Sequence, residues 1–159
     1  SLIIADEPTT ALDVIVEAQF LDLLRTLREE FQLTILLSTH NIGVVAEAAD
    51  RVAVMSAGKI VEVGSVDSVF LETRHPYSRG LLRSVPNIDV DHQELYKMEG
   101  APPNLVAPPT GCRFHPRCPY ATGLCSTDEP TLLATDDPDH RASCWIYSDR
   151  DDRPKDRLA

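Results

Sequence analysis

The sequence of 159 residues lacks any long hydrophobic run. Its longest apolar stretches, at 2–5 and 34–37, are far shorter than the roughly 18 residues of a membrane-spanning helix. It also lacks a charged segment followed by an apolar one near its start, so no secretory signal is predicted. Lysine and arginine number 15 against 25 acidic residues, and the net charge of −10 argues against a nucleic-acid partner, which needs a basic surface.

Apolar runs and capping residues predict alternating strands and helices at the start of the sequence. The run 2–5 is apolar without alternation, which is typical of a fully buried strand. Asp13 is a candidate N-cap, and a second apolar, β-favouring run at 33–37 precedes another N-cap at Asn41. Apolar residues at helical spacing follow the first cap at Val16, Phe20, Leu23, Leu24, Leu27 and Phe31.

The next segment predicts a hairpin, with strands at 51–55 and 59–63, and short helices that begin at Ser65 and Pro76. Strands that alternate with helices indicate an α/β fold with a mostly parallel sheet. Two or three parallel strands are too few to stand alone. Because the first strand opens almost at Ser1, we expect the sequence to be part of a longer chain that supplies the remaining strands.

Two adjacent carboxylates, Asp6 and Glu7, end the first strand, and His40 ends the second. The carboxyl ends of parallel strands form the ligand-binding edge of α/β sheets, so these side chains are expected at one edge. One carboxylate can hold Mg²⁺, the other can orient or deprotonate a water, and the imidazole can bind a phosphate oxygen. An Asp-Glu pair alone usually caps a turn, but the histidine on the next strand favours a phosphate site.

The run LIIADEPTTALD at 2–13 resembles the Walker B and D-loop segments of ABC-type ATPases, and Ser38-Thr39-His40 resembles their switch-histidine loop. The resemblance continues through NIGVVA at 41–46, DRVAVM at 50–55, GKIVE at 58–62 and HPY at 75–77. Together these segments resemble the ATP-binding subunit of dipeptide, oligopeptide and nickel importers.

This resemblance implies roles for individual residues. Asp6 would hold the Mg²⁺ of Mg-ATP through water, and Glu7 would be the general base that polarises the attacking water. His40 would contact the γ-phosphate, and Asp13 would reach across a dimer interface toward the partner's nucleotide. Asn41 departs from the family's usual Asp; it still caps a helix but adds no negative charge near His40.

The sequence has no G-x-x-x-x-G-K-[ST] phosphate loop, no glutamine loop and no LSGGQ-like segment. The phosphate loop supplies most contacts to a nucleotide. We therefore expect ATP hydrolysis only from the full-length protein, whereas this chain alone would be inactive and bind ATP weakly. Micromolar ATP affinity of the isolated chain in calorimetry would contradict that expectation.

Four cysteines, Cys112, Cys118, Cys125 and Cys144, are the only ones in the sequence. Two disulfides would suit an oxidising compartment. Structural zinc usually takes C-x₂₋₄-C pairs, which are closer than these, whereas a [4Fe–4S] cluster tolerates varied gaps. The segment resembles the C-terminal extension of peptide-importer ATPases, some of which carry an iron–sulfur cluster, and this implies the four thiolates as ligands. A zinc site and free or redox-active thiols remain the alternative interpretations of these cysteines.

The resemblance also implies a domain division and partners. Residues 1–86 would be the C-terminal part of the nucleotide-binding domain, 87–147 the cysteine-containing extension and 148–159 a disordered tail. The partners would be a second ABC ATPase subunit, in a homo- or heterodimer, permease subunits at the cytoplasmic face of the membrane and, indirectly, a substrate-binding protein. Peptide uptake is the predicted function; uptake of nickel or another small solute, or a non-transport ABC ATPase, is the alternative.

Overall fold

The computed structural model describes residues 1–86 and 96–154. They belong to two compact units, Ser1–Ala49 (unit 1) and Asp50–Ala159 (unit 2). Residues 87–95 of the predicted extension and 155–159 of the predicted tail lie outside the described residues. Across the described segments, no helix has both the length and the apolar character needed to cross a bilayer.

Unit 1 contains the predicted strand–helix–strand–helix order. Its elements are β1 (Leu2–Asp6), α1 (Val14–Phe31), β2 (Thr34–Ser38) and α2 (Ile42–Ala48). The two strands are parallel and in register from Leu2 opposite Thr34 to Asp6 opposite Ser38. Both predicted caps are confirmed: Asp13 Oδ1 accepts from Val16 N at 2.9 Å and Asn41 Oδ1 accepts from Gly43 N at 3.0 Å.

The prediction that the first strand is fully buried is wrong for this chain. Leu2 is 59%, Ile4 68% and Leu36 57% exposed, and all three lie on one face of the two-stranded sheet. Burial of both faces of a parallel sheet needs a layer on each side. Within the described residues, no layer covers this face.

Unit 2 is built on a four-stranded antiparallel sheet with the order β3-β4-β6-β5. Its strands are β3 (Arg51–Ser56), β4 (Lys59–Ser65), β5 (Leu133–Ala134) and β6 (Arg141–Ala142). Its helices are α3 (Val66–Leu71), α4 (Pro76–Arg83) and α5 (Gly123–Thr127), with 3₁₀ turns at His115–Arg117 and Trp145–Tyr147. The buried apolar core of this unit consists of Val61, Val69, Phe114, Leu124, Cys125, Ala142 and Ile146.

The β3–β4 hairpin is confirmed, and its two-residue turn has positive φ at both positions, 49° at Ala57 and 76° at Gly58. Positive φ at both central residues is the geometry that matches the twist of a hairpin. Arg113 Nη1 donates to the Ala57 carbonyl at 2.6 Å, so the cysteine-rich segment binds the tip of the hairpin.

The expected mostly parallel sheet is found only in the β1–β2 pair. In unit 2 the free edge of β4 pairs with β6, which places Glu62 opposite Ala142, and Ser143 N donates to the Val61 carbonyl at 2.7 Å. The N–H and C=O groups at an open strand edge need hydrogen-bond partners. In β4 the short strand β6 supplies these partners. Because unit 1 has a parallel strand pair and unit 2 an antiparallel sheet, the described fold is mixed α/β.

Candidate functional site

The carboxyl end of β1 turns sharply at Glu7, whose φ is 47°. Glu7 N donates to the Ser38 carbonyl at 2.8 Å, which ties this turn to the end of β2. His40 follows two residues later, and its Nδ1 lies 2.8 Å from Glu7 Oε2 and 3.0 Å from Oε1. The structure therefore places the predicted carboxylate and imidazole in direct contact.

The hydrogen bonds around Glu7 favour the ionised form of its carboxyl. An ionised carboxylate only accepts, so His40 Nδ1 is the donor, and Thr10 Oγ1 donates to Oε2 at 3.0 Å. These bonds, that of His40 above all and then that of Thr10, hold the pKa of the Glu7 carboxyl below its ordinary value. Glu7 is consequently a carboxylate at neutral pH, the form that can accept a proton.

Asp6 and Asp13 flank this contact in sequence. Asp6 ends β1 opposite Ser38 and is exposed, and none of the described residues occupies its carboxylate with a hydrogen bond. A free carboxylate at a strand end is the kind of oxygen donor that Mg²⁺ binds. Asp13 lies at the start of α1, where its Oδ1 is used as the N-cap.

In unit 2, the four cysteines line one cavity. All four are free thiols, so the disulfide alternative finds no bond in this structure. Cys112 N donates to the Cys125 carbonyl at 2.8 Å, and His115 Nδ1 binds the Cys112 carbonyl at 2.9 Å. The remaining wall of the cavity is largely aromatic or apolar and includes His75, Phe114, Tyr120, Trp145 and Ile146.

Burial favours the protonated form of three of these thiols. It raises the pKa of Cys112, that of Cys118 to about 11 and that of Cys144 to about 12. Within residues 1–86 and 96–154, no three or more His, Cys, Asp or Glu side chains are arranged to hold a metal ion. The predicted iron–sulfur ligation therefore has no support in the side-chain arrangement, although the four thiols share a cavity.

The chain is similar to known peptide-transport proteins. Residues 61–125 match the family model for the oligopeptide/dipeptide transporter C-terminal region. The dipeptide transport ATP-binding protein DppD of Bacillus subtilis is 44% identical over 94% of this chain and 44% of its own length. The oligopeptide transport ATP-binding protein AppD of the same species is 49% identical over 93% of this chain and 45% of its own length. OppD of Salmonella typhimurium is 50% identical over 81% of this chain and 38% of its own length.

Over most of its length the chain is similar to ATP-binding proteins of peptide transport. It spans less than half the length of the three relatives that it matches. The matched model region contains most of β4 and three of the four cysteines, and it lies within unit 2. The Glu7–His40 contact lies in unit 1, outside the matched model region.

The side chain of Asn41 has two contacts. Its Oδ1 caps α2, and its Nδ2 donates to Glu17 Oε2 at 3.5 Å. An Asp at this position would cap equally well but would face Glu17 with a like charge. The amide of Asn41 therefore avoids a repulsion and donates a hydrogen bond to Glu17 on α1.

The HPY segment begins with a buried imidazole. His75 is 1% exposed and lies against Phe114 with ring centroids 5.9 Å apart. Its Nδ1 accepts from Tyr77 N at 3.1 Å, so it is the N-cap of α4. The ring of Tyr77 meets that of Phe114 edge-on, with the ring centroids 5.5 Å apart. Helix capping by a buried imidazole is invisible in the sequence because Ser, Thr, Asp and Asn are the usual N-caps.

Replacing His75 by Asn is expected to flatten the pH dependence of stability. Burial lowers the pKa of His75 from 6.5 to about 4, so the unfolded chain binds the proton more readily between these values. The stability that this difference supplies is complete above pH 6.5 and is lost as the pH falls toward 4. The loss from pH 7 to pH 5 is about 2 kcal/mol.

Asn keeps an N-cap acceptor but does not titrate. Urea unfolding of both proteins at pH 7 and pH 5 measures the difference. An equal loss of stability in both proteins on acidification would show that His75 does not carry it.

Replacing Gly111 by Ala is expected to destabilise the cysteine-containing segment by more than about 1 kcal/mol. Gly111 has φ 64°, and a Cβ there would lie 2.5 Å from the Cys125 carbonyl oxygen. Gly123→Ala is the matched control, since its Cβ would meet nothing within 4 Å. Thermal unfolding should separate the two variants; equal melting temperatures would contradict the prediction.

Sequence reasoning missed two groups of contacts. Thr10 binds Glu7, although as one of two adjacent threonines it has no distinguishing pattern. Glu62 is fully buried and binds His140, which lies 78 residues further along the chain. A carboxylate between the apolar neighbours Val61 and Val63 is the one sequence signal that could have identified Glu62.

Proposed function

We propose that the full-length protein hydrolyses ATP to power the uptake of peptides, and that unit 1 supplies its hydrolytic residues. The observation that carries this proposal is the 2.8 Å contact between Glu7 and His40 at the ends of two parallel strands. The peptide-transport names of the relatives support the substrate class. The cargo within that class is chosen by other subunits.

Glu7 is the general base in this proposal. A water proton passes to the carboxylate while the water oxygen forms a bond to the γ-phosphorus of ATP. The bond from that phosphorus to the bridging oxygen breaks, and ADP leaves with its electron pair. The hydrogen bonds that lower the pKa of Glu7 keep it ionised and oriented before the proton arrives.

His40 contacts the γ-phosphate in this proposal. Its Nδ1 already donates to Glu7, so only Nε2 remains for the phosphate. His40 would therefore lie between Glu7 on one side and the phosphate on the other, with Nε2 as the nitrogen that faces the phosphate.

Asp6 and Asp13 complete the proposed site. Asp6 is exposed at the end of β1, and its oxygens fit Mg²⁺, which would neutralise phosphate charge during hydrolysis. Asp13 faces a second ATPase subunit across the nucleotide, in a homo- or heterodimer. Two such subunits would bind permease subunits at the cytoplasmic face of the membrane.

Unit 2 is proposed to hold an iron–sulfur cluster through Cys112, Cys118, Cys125 and Cys144. The proposal starts from the shared cavity that all four thiols line, although no three of them are arranged around an ion site in the described residues. Burial disfavours the thiolate forms of Cys112, Cys118 and Cys144, so a bound cation would be needed to stabilise these thiolates there. A cation bound by the four cysteines would also link the parts of the cysteine-containing segment, whose strands β5 and β6 have only two residues each.

The cluster is tested on full-length protein purified without oxygen. Brown protein with iron and sulfide, both lost when the four cysteines are replaced by Ser, would support it. Colourless protein with stoichiometric zinc would support the zinc alternative instead, and protein without metal would leave four free thiols.

The transport proposal is tested by reconstituting the full-length protein with its permease subunits in vesicles. Peptide-loaded binding protein is expected to stimulate ATP hydrolysis and to drive peptide into the vesicles. Nickel serves as the competing cargo. Hydrolysis without uptake of any solute would favour an ABC ATPase that has no transport role.

A further inference from the structure

Besides lowering the pKa of Glu7, Thr10 is placed to distinguish the two oxygens of its carboxylate. The chain folds back after β1 so that Thr10 N donates to the Glu7 carbonyl at 3.2 Å. This turn returns the Thr10 hydroxyl to the Glu7 side chain, where Oγ1 donates to Oε2 at 3.0 Å. Thr10 thus binds both the backbone and the carboxylate of the same residue.

The donors around the carboxylate distinguish its two oxygens. A carboxylate has about four lone-pair sites, two on each oxygen. His40 Nδ1 lies within hydrogen-bond distance of both oxygens, whereas Thr10 contacts only Oε2. With His40 on one site of each oxygen and Thr10 on the second site of Oε2, one site remains on Oε1.

From this arrangement we propose that Thr10 is a positioning residue, which holds Oε2 and leaves Oε1 as the atom that receives the water proton. The inference rests on the proposed role of Glu7 as the base. Without the hydroxyl, the carboxylate can rotate about its terminal bond, and the two oxygens compete for the water and for His40. Fewer encounters would then have the geometry needed for proton transfer.

The test compares Thr10→Val and Thr10→Ser in the full-length protein. Val keeps the β-branched shape of Thr but removes the hydroxyl, whereas Ser keeps the hydroxyl. We expect Thr10→Val to lower kcat for ATP hydrolysis roughly 10-fold or more, because hydrogen bonds to charged groups are among the stronger ones. KM for ATP should change less than about twofold, since nucleotide binding does not depend on the proton acceptor. Thr10→Ser should restore kcat.

Three results would overturn the inference: wild-type kcat in Thr10→Val, a raised KM with unchanged kcat, or a Thr10→Ser variant as slow as Thr10→Val. Glu7→Gln is measured in the same experiment. If Glu7→Gln is inactive while Thr10→Val is normal, the base assignment stands and only the role of Thr10 fails. If Glu7→Gln hydrolyses ATP normally, the proposed base is wrong and the role of Thr10 falls with it.

Discussion

Replacing Glu7 by Gln in the full-length protein is expected to slow ATP hydrolysis on the order of 10²- to 10⁴-fold while ATP still binds. Gln has nearly the same shape, and its carbonyl oxygen can still accept the hydrogen bond from His40 Nδ1. The amide cannot accept a proton from water at neutral pH. The variant therefore removes the chemistry and keeps most of the geometry.

Single-turnover hydrolysis and ATP affinity measured on the same preparation separate these two effects. Glu47→Gln is a suitable control because Glu47 is an exposed carboxylate on α2, 3.9 Å from Arg25 and outside the site. The control should hydrolyse ATP at the wild-type rate. Normal turnover in Glu7→Gln would exclude Glu7 as the base.

Replacing His140 by Ala is expected to lower the free energy of unfolding of unit 2 by about 3–5 kcal/mol. His140 Nε2 lies 2.7 Å from Glu62 Oε1, and the two residues are 1% and 0% exposed. Glu62 also accepts from Arg74 N at 2.6 Å and from His75 N at 3.0 Å. Loss of the imidazole leaves a buried carboxylate with one donor fewer and a cavity beside it.

Urea unfolding can follow the fluorescence of Trp145, which is the only tryptophan and lies in unit 2. Glu129→Gln is the contrasting variant, because Glu129 forms an exposed ion pair with Lys59 at 3.0 Å. Surface pairs contribute at most about 1 kcal/mol, so this variant should unfold nearly as the wild type does. Equal stabilities of the His140 variant and the wild type would show that the buried pair is not needed.

The Glu62 contacts also explain how two distant parts of unit 2 are joined. Glu62 on β4 binds the start of the HPY segment and His140 just before β6. Tyr147 Oη adds a bond to the Arg74 carbonyl at 3.0 Å. The cysteine-containing segment therefore folds onto the hairpin through specific polar contacts. Whether residue 86 divides two domains stays a prediction.

Local sequence determined the elements of this protein and the position of its candidate site. Asp13 and Asn41 cap helices because their short side chains reach backbone N–H groups a few residues away, and Ala57-Gly58 closes the hairpin within two residues. The contact of Glu7 with His40 was also predictable, since parallel strands of equal length end at the same edge. Each of these features depends on neighbours in sequence or on one strand pairing.

Tertiary packing alone settled the remaining features. It paired β6 with β4, buried His75 and Glu62, brought four cysteines to one cavity and left one face of β1 exposed. These outcomes depend on which surfaces meet across long stretches of chain, as in the 78-residue separation of Glu62 and His140. Residue patterns of period two or 3.6 report which face of an element is apolar, but they carry no information about its partner. The free energy of burial and of buried hydrogen bonds makes that choice only when the whole chain has folded.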